Sequence, residues 1–512
     1  MLGRGLVRWV DPLSEHLSDH WSFVAKIAGS FELVLHRRQA HQTLSNWLYH
    51  ELCSAIVDGR LRAGSRLPGS RDFAAQYGIS RGTVVNVFER LQSEGYVASR
   101  VGRGTVVSEG LRAAKPLSPN PAHRPAYIRR AVSAYVRPKP FVDWVPFTGR
   151  RPFQLADPAV EEFPARIWGG IAARHARRLP SWLRGEDDGR GYRPLRTAIA
   201  QYLGLSRGVK CDANQVVIVS GVQQALDQLF RFLLRKGDPV WTEDPAYFGA
   251  SIALRNAGAK IIPVPVDEQG LSVSAGKKLC PKAVGVFLTP GHQFPLGMTM
   301  SLERRMAVLQ WASSTGAFVI EDDYDSEFRF TGQPVGALQG LDRNENVIFV
   351  GTFNKVLFSS LRLGYMVLPA PLVDIFHARR RQTDFHTLSL DQAVLCDFIV
   401  EGHFSRHLRR MRDLYASRLA VMIEGGNAYL KGLLQISDVK AGLYTAAFLQ
   451  NSMTSRAAEA AATAKGVETR GLDRFTLRRK DPKGLLLGFA AHDEKTIRQG
   501  LVRLAEALQM NR

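Results

Sequence analysis

The densest run of residues able to do chemistry is 346–369, NVIFVGTFNKVLFSSLRLGYMVLP. An apolar stretch ends in Gly351-Thr352, Lys355 follows, and Arg362 stands seven residues after it. An unprotonated lysine amine attacks carbonyl carbon, and an arginine fork suits phosphate. The like charge of Arg362 presses the lysine pKa down, which favours a Schiff base. A buried strand that delivers both groups to one polar spot predicts a site for an anionic ligand with an electrophilic carbon. The reading is that Lys355 holds pyridoxal 5'-phosphate (PLP), with Thr352 donating to its phosphate.

Other strand ends can serve the same ligand. Ser220-Gly221-Val222-Gln223 follows the apolar run 216–219 and opens a helix, where free N–H groups and the helix dipole favour a phosphate. Tyr247, after Glu243-Asp244-Pro245, can stack on a flat ring. The proline-stiffened loop Thr289 to Gly297 can present His292 and Gln293 to a cofactor. Four carboxylates crowd into Glu321-Asp322-Asp323-Tyr324-Asp325, directly after another apolar run. Such a run is costly unless partnered. A hard-cation loop would need a glycine turn and spaced oxygen ligands, which are absent here. A carboxylate aimed at a protonated pyridine nitrogen suits the run better, and no metal is expected.

These residues need a scaffold. Short apolar runs at 216–219, 239–241, 261–266, 284–288, 318–320, 347–350 and 363–367 alternate with helical patterns such as 223–234, 248–256 and 302–313. That alternation predicts an α/β fold with a mostly parallel sheet covered on both faces, its ligands beyond the C-terminal strand ends. From about residue 391 a helix-rich start leads into a smaller α+β part, with strands near 442–449 and 485–489.

The N-terminal part reads differently. Leu44, Trp47, Leu48, Leu52 and Ile56 mark an amphipathic helix ending near Asp58-Gly59. Ser70 is set to cap a short second helix that Gly78 ends, and Ser80 a third, with Val84, Val87, Phe88 and Leu91 inward. Two short strands around Val101-Gly102-Arg103 follow. Helix, helix, turn, helix and hairpin is the winged helix-turn-helix order. The third helix offers Arg81, Thr83, Asn86 and Arg90 outward, and arginine and asparagine read base edges in the major groove. Arg100 and Arg103 on the hairpin can reach the minor groove or backbone. Residues 1–140 hold about 20 Lys/Arg against about 10 Asp/Glu, close to half of the chain's net charge of +21. Double-stranded DNA is the expected partner of residues 39–110.

The expected boundaries are a poorly ordered extension at 1–38, the winged helix at 39–110, a basic linker at 111–146 with seven prolines, and the α/β domain at 147–512. No apolar run reaches the roughly 18–20 residues that span a bilayer. Four dispersed cysteines without a CxxC pair fit a reducing cytoplasm.

LPGSRDFAAQYGISRGTVVNVFERLQSEGYV resembles the winged helix of GntR-type bacterial regulators. That resemblance implies DNA contacts from Arg71 and Arg81, with the wing near Gly102-Arg103-Gly104. TPGHQFPLG, IEDDYDSEF and GTFNKVLFSSLRLGY, supported by GYRPLRTAIAQYL and VIVSGVQQALDQL, resemble the fold type I aminotransferases. The two parts together resemble the MocR-type regulators. The resemblance implies that Lys355 is the internal-aldimine lysine, Asp322 pairs with the pyridine nitrogen, and Tyr324 bonds the ring hydroxyl. It further implies that Tyr247 stacks on the ring, while Arg362, Thr352 and the Gly221–Gln223 amides hold the phosphate. A head-to-tail homodimer is implied too. The chain departs from the family pattern at Asn354, usually serine, at Gly291 and Leu296, and at Leu486, where many aminotransferases carry a carboxylate-binding arginine. Arg470, Arg474, Arg478 and Arg479 are possible substitutes. The expected function is a PLP-binding regulator sensing an amine or amino acid at Lys355. The alternative is an aminotransferase with an accessory DNA-binding module.

Overall fold

The computed structural model describes residues 22–23, 33–36, 38, 42–100, 104–108, 151–155, 157–177, 189–331, 336–384, 387–437, 439–479 and 483–510. Its contacts divide the chain into two units, Met1–Arg137 and Pro138–Arg512. The linker at 111–146 lies outside the described residues, as does most of the extension expected at 1–38.

In the first unit β1 (Ser22–Phe23) pairs antiparallel with β2 (Leu35–His36). Leu33 and Leu35, assigned by sequence to the extension, are buried in the core formed by Leu48, Leu52, Phe73, Val84, Val87 and Leu91. Three helices build that core: α1 (Leu44–Val57), α2 (Ser70–Tyr77) and α3 (Arg81–Ser93). Thr43 caps α1 by accepting from the N–H of Asn46, and Ser80 caps α3 by accepting from that of Thr83. The cap expected of Ser70 is not made. Gly69 is the N-cap of α2, and Ser70 is the first helical residue. Gly78 ends the helix at φ +65°, a conformation that costs glycine little. The hairpin of β3 (Val97–Arg100) and β4 (Gly104–Val107) completes a winged helix.

The second unit is built on an eight-stranded sheet. Its strands are β5 (Val216–Val219), β6 (Pro239–Asp244), β7 (Lys260–Asp267), β8 (Gly270–Leu271), β9 (Gly285–Leu288), β10 (Phe318–Asp323), β11 (Val347–Thr352) and β12 (Gly364–Val367). Their order is β5-β12-β11-β10-β9-β6-β7-β8. β11, β10, β9, β6 and β7 pair in parallel, whereas β12 runs antiparallel between β5 and β11. Both faces are covered. Val216 and Ile218 pack with Leu195 and Ile199, and the alternate Val217 and Val219 pack with Leu226 and Phe230. β10 runs further than its apolar stretch predicts. Asp322 pairs with Val350 and Asp323 with Gly351, so three of the carboxylates belong to the strand itself. Glu321 accepts from the N–H groups of Leu338 and Gln339, and Asp323 pairs with Arg207.

After the helices Ser389–Val400 and His403–Tyr429 comes the smaller part. It is an antiparallel sheet of β13 (Leu434–Ile436), β14 (Tyr444–Leu449), β15 (Arg470–Gly471) and β16 (Gly484–Gly488), in the order β13-β14-β16-β15. Among the described residues no helix is long and apolar enough to cross a membrane.

Candidate functional site

The C-terminal ends of the parallel strands open into a cavity of about 430 Å³. Val222, Gln223, Tyr247, Asp322, Tyr324, Thr352, Asn354, Lys355 and Arg362, all expected from sequence, line it. They come from the ends of β5, β6, β10 and β11 and from the turn after β11.

The anion-binding end is assembled by backbone shape. Gly221 has φ +108° just before the helix Val222–Leu233. A Cβ there would stand 3.5 Å from Asn354 Nδ2 and 3.6 Å from the Arg362 guanidinium. The helix N-terminus, an amide and a guanidinium therefore converge. The opposing Gly364 has no room for a side chain, since a Cβ would meet Gly351 O at 2.9 Å and Gly221 Cα at 3.1 Å. Asn354 explains its own presence. Its Oδ1 accepts from Leu363 N–H at 3.3 Å, and its N–H donates to Thr352 Oγ1 at 3.2 Å. The amide thus ties the Lys355 turn to the Arg362 turn. Arg362 itself is left-handed at φ +52°, a costly choice for a side-chain-bearing residue.

The other end is a buried acid cluster. Asp322 is buried and its Oδ1 has no hydrogen-bond partner. Desolvation raises its pKa well above the carboxylate range, reinforced by Asp323, Asp325 and Glu243. Burial lowers the Lys355 pKa, while Asp157 and Asp325 oppose the shift. The lysine is therefore disposed to lose its proton and act as a nucleophile. Tyr247 is pushed up to about 12 by burial and then by Asp322, so its hydroxyl stays protonated. Tyr324 also keeps its proton, through burial first and then Asp325 and Tyr444. Its hydroxyl lies 2.8 Å from Tyr444 Oη and 3.1 Å from His292 Nδ1.

His292 departs from the sequence reading because it does not line the cavity. Its Nδ1 lies 2.9 Å from Asp325 Oδ1, and both groups are almost wholly buried. The histidine holds Asp325 and Tyr324 from behind. Sequence reasoning also missed Asp157, Asp325 and Tyr444, which do line the cavity. Asp157 lies in no strand-end pattern. Tyr444 and Arg470 come from the smaller sheet, whose approach no local motif announces. Arg470 is the only one of the four candidate arginines that reaches the cavity.

The residues fit PLP. A partnerless buried carboxylate suits a pyridinium N–H, the depressed lysine suits an imine link, and the Gly221 cradle with Arg362 suits a phosphate.

In the winged helix, Arg71, Ser80, Arg81 and Asn86 are exposed and Thr83 is half-buried. Ser80 Oγ is engaged at the cap, 2.8 Å from Thr83 Oγ1. Arg90 is exposed too, but its guanidinium is already engaged. It donates to Glu94 at 3.1 Å and lies 3.7 Å from the centroid of the Tyr49 ring of α1. Arg103 lies outside the described residues, and Arg100 is described only as the last residue of β3.

Residues 186–504 match the family model for aminotransferase class I and II, and residues 44–107 match that for bacterial regulatory proteins of the gntR family. The chain is 38% identical over 474 residues to the probable rhizopine catabolism regulatory protein MocR of Rhizobium meliloti, covering 92% of this chain and 94% of that protein. It is 27% identical to the HTH-type pyridoxine biosynthesis transcriptional regulator PdxR of Corynebacterium glutamicum, covering 90% and 95%. Among solved structures, it resembles the Pyrococcus horikoshii kynurenine aminotransferase in complex with PMP, with TM-score 0.66, 26% identity, and 76% of this chain and 96% of that one covered. It also resembles the alpha-aminoadipate aminotransferase LysN of Thermus thermophilus, complexed with N-(5'-phosphopyridoxyl)-L-leucine. There the TM-score is 0.65, the identity 28%, and the coverage 70% and 92%.

Proposed function

Because this chain belongs to the aminotransferase class I and II family, with a GntR-type domain ahead of it as in the MocR-type regulators, we propose that it is a transcriptional regulator that senses an amine or amino acid. It binds double-stranded DNA through α3 and its effector in the Lys355 cavity. The observation that carries this reading is the presence, in one chain, of an exposed Arg81–Asn86 face and a cavity whose buried Asp322 Oδ1 has no protein partner.

PLP, when bound, supplies an electrophilic carbon to which primary amines add reversibly. Lys355 would anchor it. Asp322 would keep the pyridine nitrogen protonated, and the Tyr324 hydroxyl would donate to the ring oxygen. Tyr247 would cover one ring face. Arg362, Thr352, the Asn354 amide and the N–H groups of Gly221, Val222 and Gln223 would hold the phosphate. His292 would act only through Asp325 and Tyr324. Arg71, Arg81, Thr83 and Asn86 would meet DNA, with Arg100 and Arg103 reaching it from the wing. A homodimer would bring two such helices to two half-sites, in the cytoplasm where the DNA is.

The test is DNA affinity measured on the purified, cofactor-loaded chain with and without amines. A bound effector should change affinity for DNA from its own promoter region by about 5–150-fold. Lys355→Ala should abolish both the visible absorbance of the bound cofactor and the response to amines, yet keep basal DNA binding. DNA affinity indifferent to every amine would sink the sensing reading. The intact cavity and the depressed Lys355 favour a second reading, an aminotransferase. Sustained turnover of about 1 per second or more with amino donors and keto acids would support it over regulation alone.

A further inference from the structure

Beyond the residues that suit the cofactor, the cavity continues along Leu155, Asp157, Leu443, Arg470 and Phe475. Only Asp157 and Arg470 among these carry charge, and they are supported in opposite ways. Arg470 is compensated inside the protein. It donates to Glu468 Oε1 at 3.1 Å and to Thr469 O at 3.0 Å, and it stands 3.9 Å from Glu459 Oε1. Glu459 also accepts from Arg474 at 2.7 Å, so two arginines balance two glutamates. Arg151 attracts Glu468 from an exposed position, where water weakens the effect.

Asp157 has neutral partners instead. It accepts from Ser359 Oγ at 3.0 Å and from Gln154 Nε2 at 2.9 Å. Among the described residues no lysine or arginine stands within ion-pair distance of it, and Lys355 attracts it only from further off. A carboxylate accepts about four hydrogen bonds, so Asp157 retains capacity for a ligand. Leu486, the cross-strand neighbour of Arg470, is wholly buried with Leu472 and Phe475 and adds no charge.

We propose that Asp157 reads the far end of the effector. The effector is then a primary amine with a second hydrogen-bond donor, an ammonium or a hydroxyl, and without a carboxylate. This deepens the sensing reading and rests on it. A carboxylate entering here would face Asp157 and would have to displace Glu468 from Arg470. A donor gains a charge-assisted bond to a carboxylate already fixed in place.

The test uses three probes of matched length on the cofactor-loaded chain: diaminopropane, aminopropanol and β-alanine. The readout is the concentration at which each shifts the visible absorbance. Diaminopropane and aminopropanol should each bind about tenfold or more tighter than β-alanine. Asp157→Asn should remove most of that preference, with Asp157→Ser as a second variant should the amide perturb the loop. Glu468→Gln should leave diaminopropane binding unchanged and strengthen that of β-alanine, because it uncovers Arg470. β-Alanine binding as tightly as the diamine, or a ranking untouched by Asp157→Asn, would overturn the assignment and leave amine sensing standing. No absorbance shift with any of the three would remove the sensing reading and this assignment together.

Discussion

Helix α3 and the Lys355 cavity both present charge to a ligand, but they hold it under contrasting conditions. On α3, Arg81 and Asn86 are solvated, and the helix is held by Val84, Val87 and Leu91 on its other side. Reading and folding are separate tasks there. In the cavity domain the charged groups are themselves part of the buried structure. Arg207 and Asp323 meet at 2.7 Å with side chains 7% and 8% exposed. Asp325 and His292 meet at 2.9 Å, and Asp322 waits without a protein partner at Oδ1. A surface reader is therefore free to change its specificity, whereas a buried site can change only if its neighbours change with it.

That contrast can be broken most directly at Arg207. Replacing it with methionine leaves Asp323 buried and unpaired, which should cost about 3–5 kcal/mol of stability in the larger unit. Denaturant unfolding of the full chain would measure it. A loss under about 1 kcal/mol would mean that the acid cluster is less dependent on its cation than its burial implies.

At the solvated face the same kind of change should act on affinity alone. Arg81→Ala should weaken binding to promoter DNA by about 1–3 kcal/mol if it reads a base. Stability should stay within about 0.5 kcal/mol. An unfolding midpoint that moved with the affinity would erase the distinction between the two regions.

The smallest effect is in pH dependence, where the two regions should differ in sign. Burial pushes Glu243 and Glu321 up to about 7. A carboxyl raised on folding binds its proton more tightly in the native state. Its contribution is complete below its unfolded value, about 4.3, and is lost as pH rises through 7. Glu94 of the winged helix is held below its ordinary value by hydrogen bonds from Tyr49 and then Arg90. Its contribution is present above the unfolded value and is lost as pH falls. Hydrogen exchange resolved by region should thus show the cavity domain loosening from pH 5 to 7 and the winged helix tightening slightly as pH rises out of the acid range. Parallel trends in the two would contradict the assignment.

The sequence announced those features that local chemistry forces. Strand ends punctuated by Gly221, Tyr247, Asp322 and Lys355 were legible because a parallel sheet places its ligands there. The Ser80 cap was legible because an orphan N–H needs an acceptor. What local pattern could not supply was packing between distant segments. Arg90 is exposed as helical spacing predicts, yet the ring of Tyr49 and the carboxylate of Glu94 already engage its guanidinium, which spacing alone does not show. His292 stands in a loop that faces the cavity, yet Asp325 turns it away. Asp157 stands at no strand end, and besides its neighbour Gln154 it is Ser359, two hundred residues later, that fixes it at the wall.

One feature of the sheet governs when the site can exist during synthesis. β12 lies between β5 and β11, and its Gly364 lets the Gly221 turn approach the end of β11. A ribosome delivers β5 and β11 first and the strand that seats them beside each other last. No nascent chain shorter than β12 holds the anion-binding turn against Lys355, so the cofactor cannot template earlier folding of this sheet. Capture of the cofactor instead marks a chain whose central topology is complete.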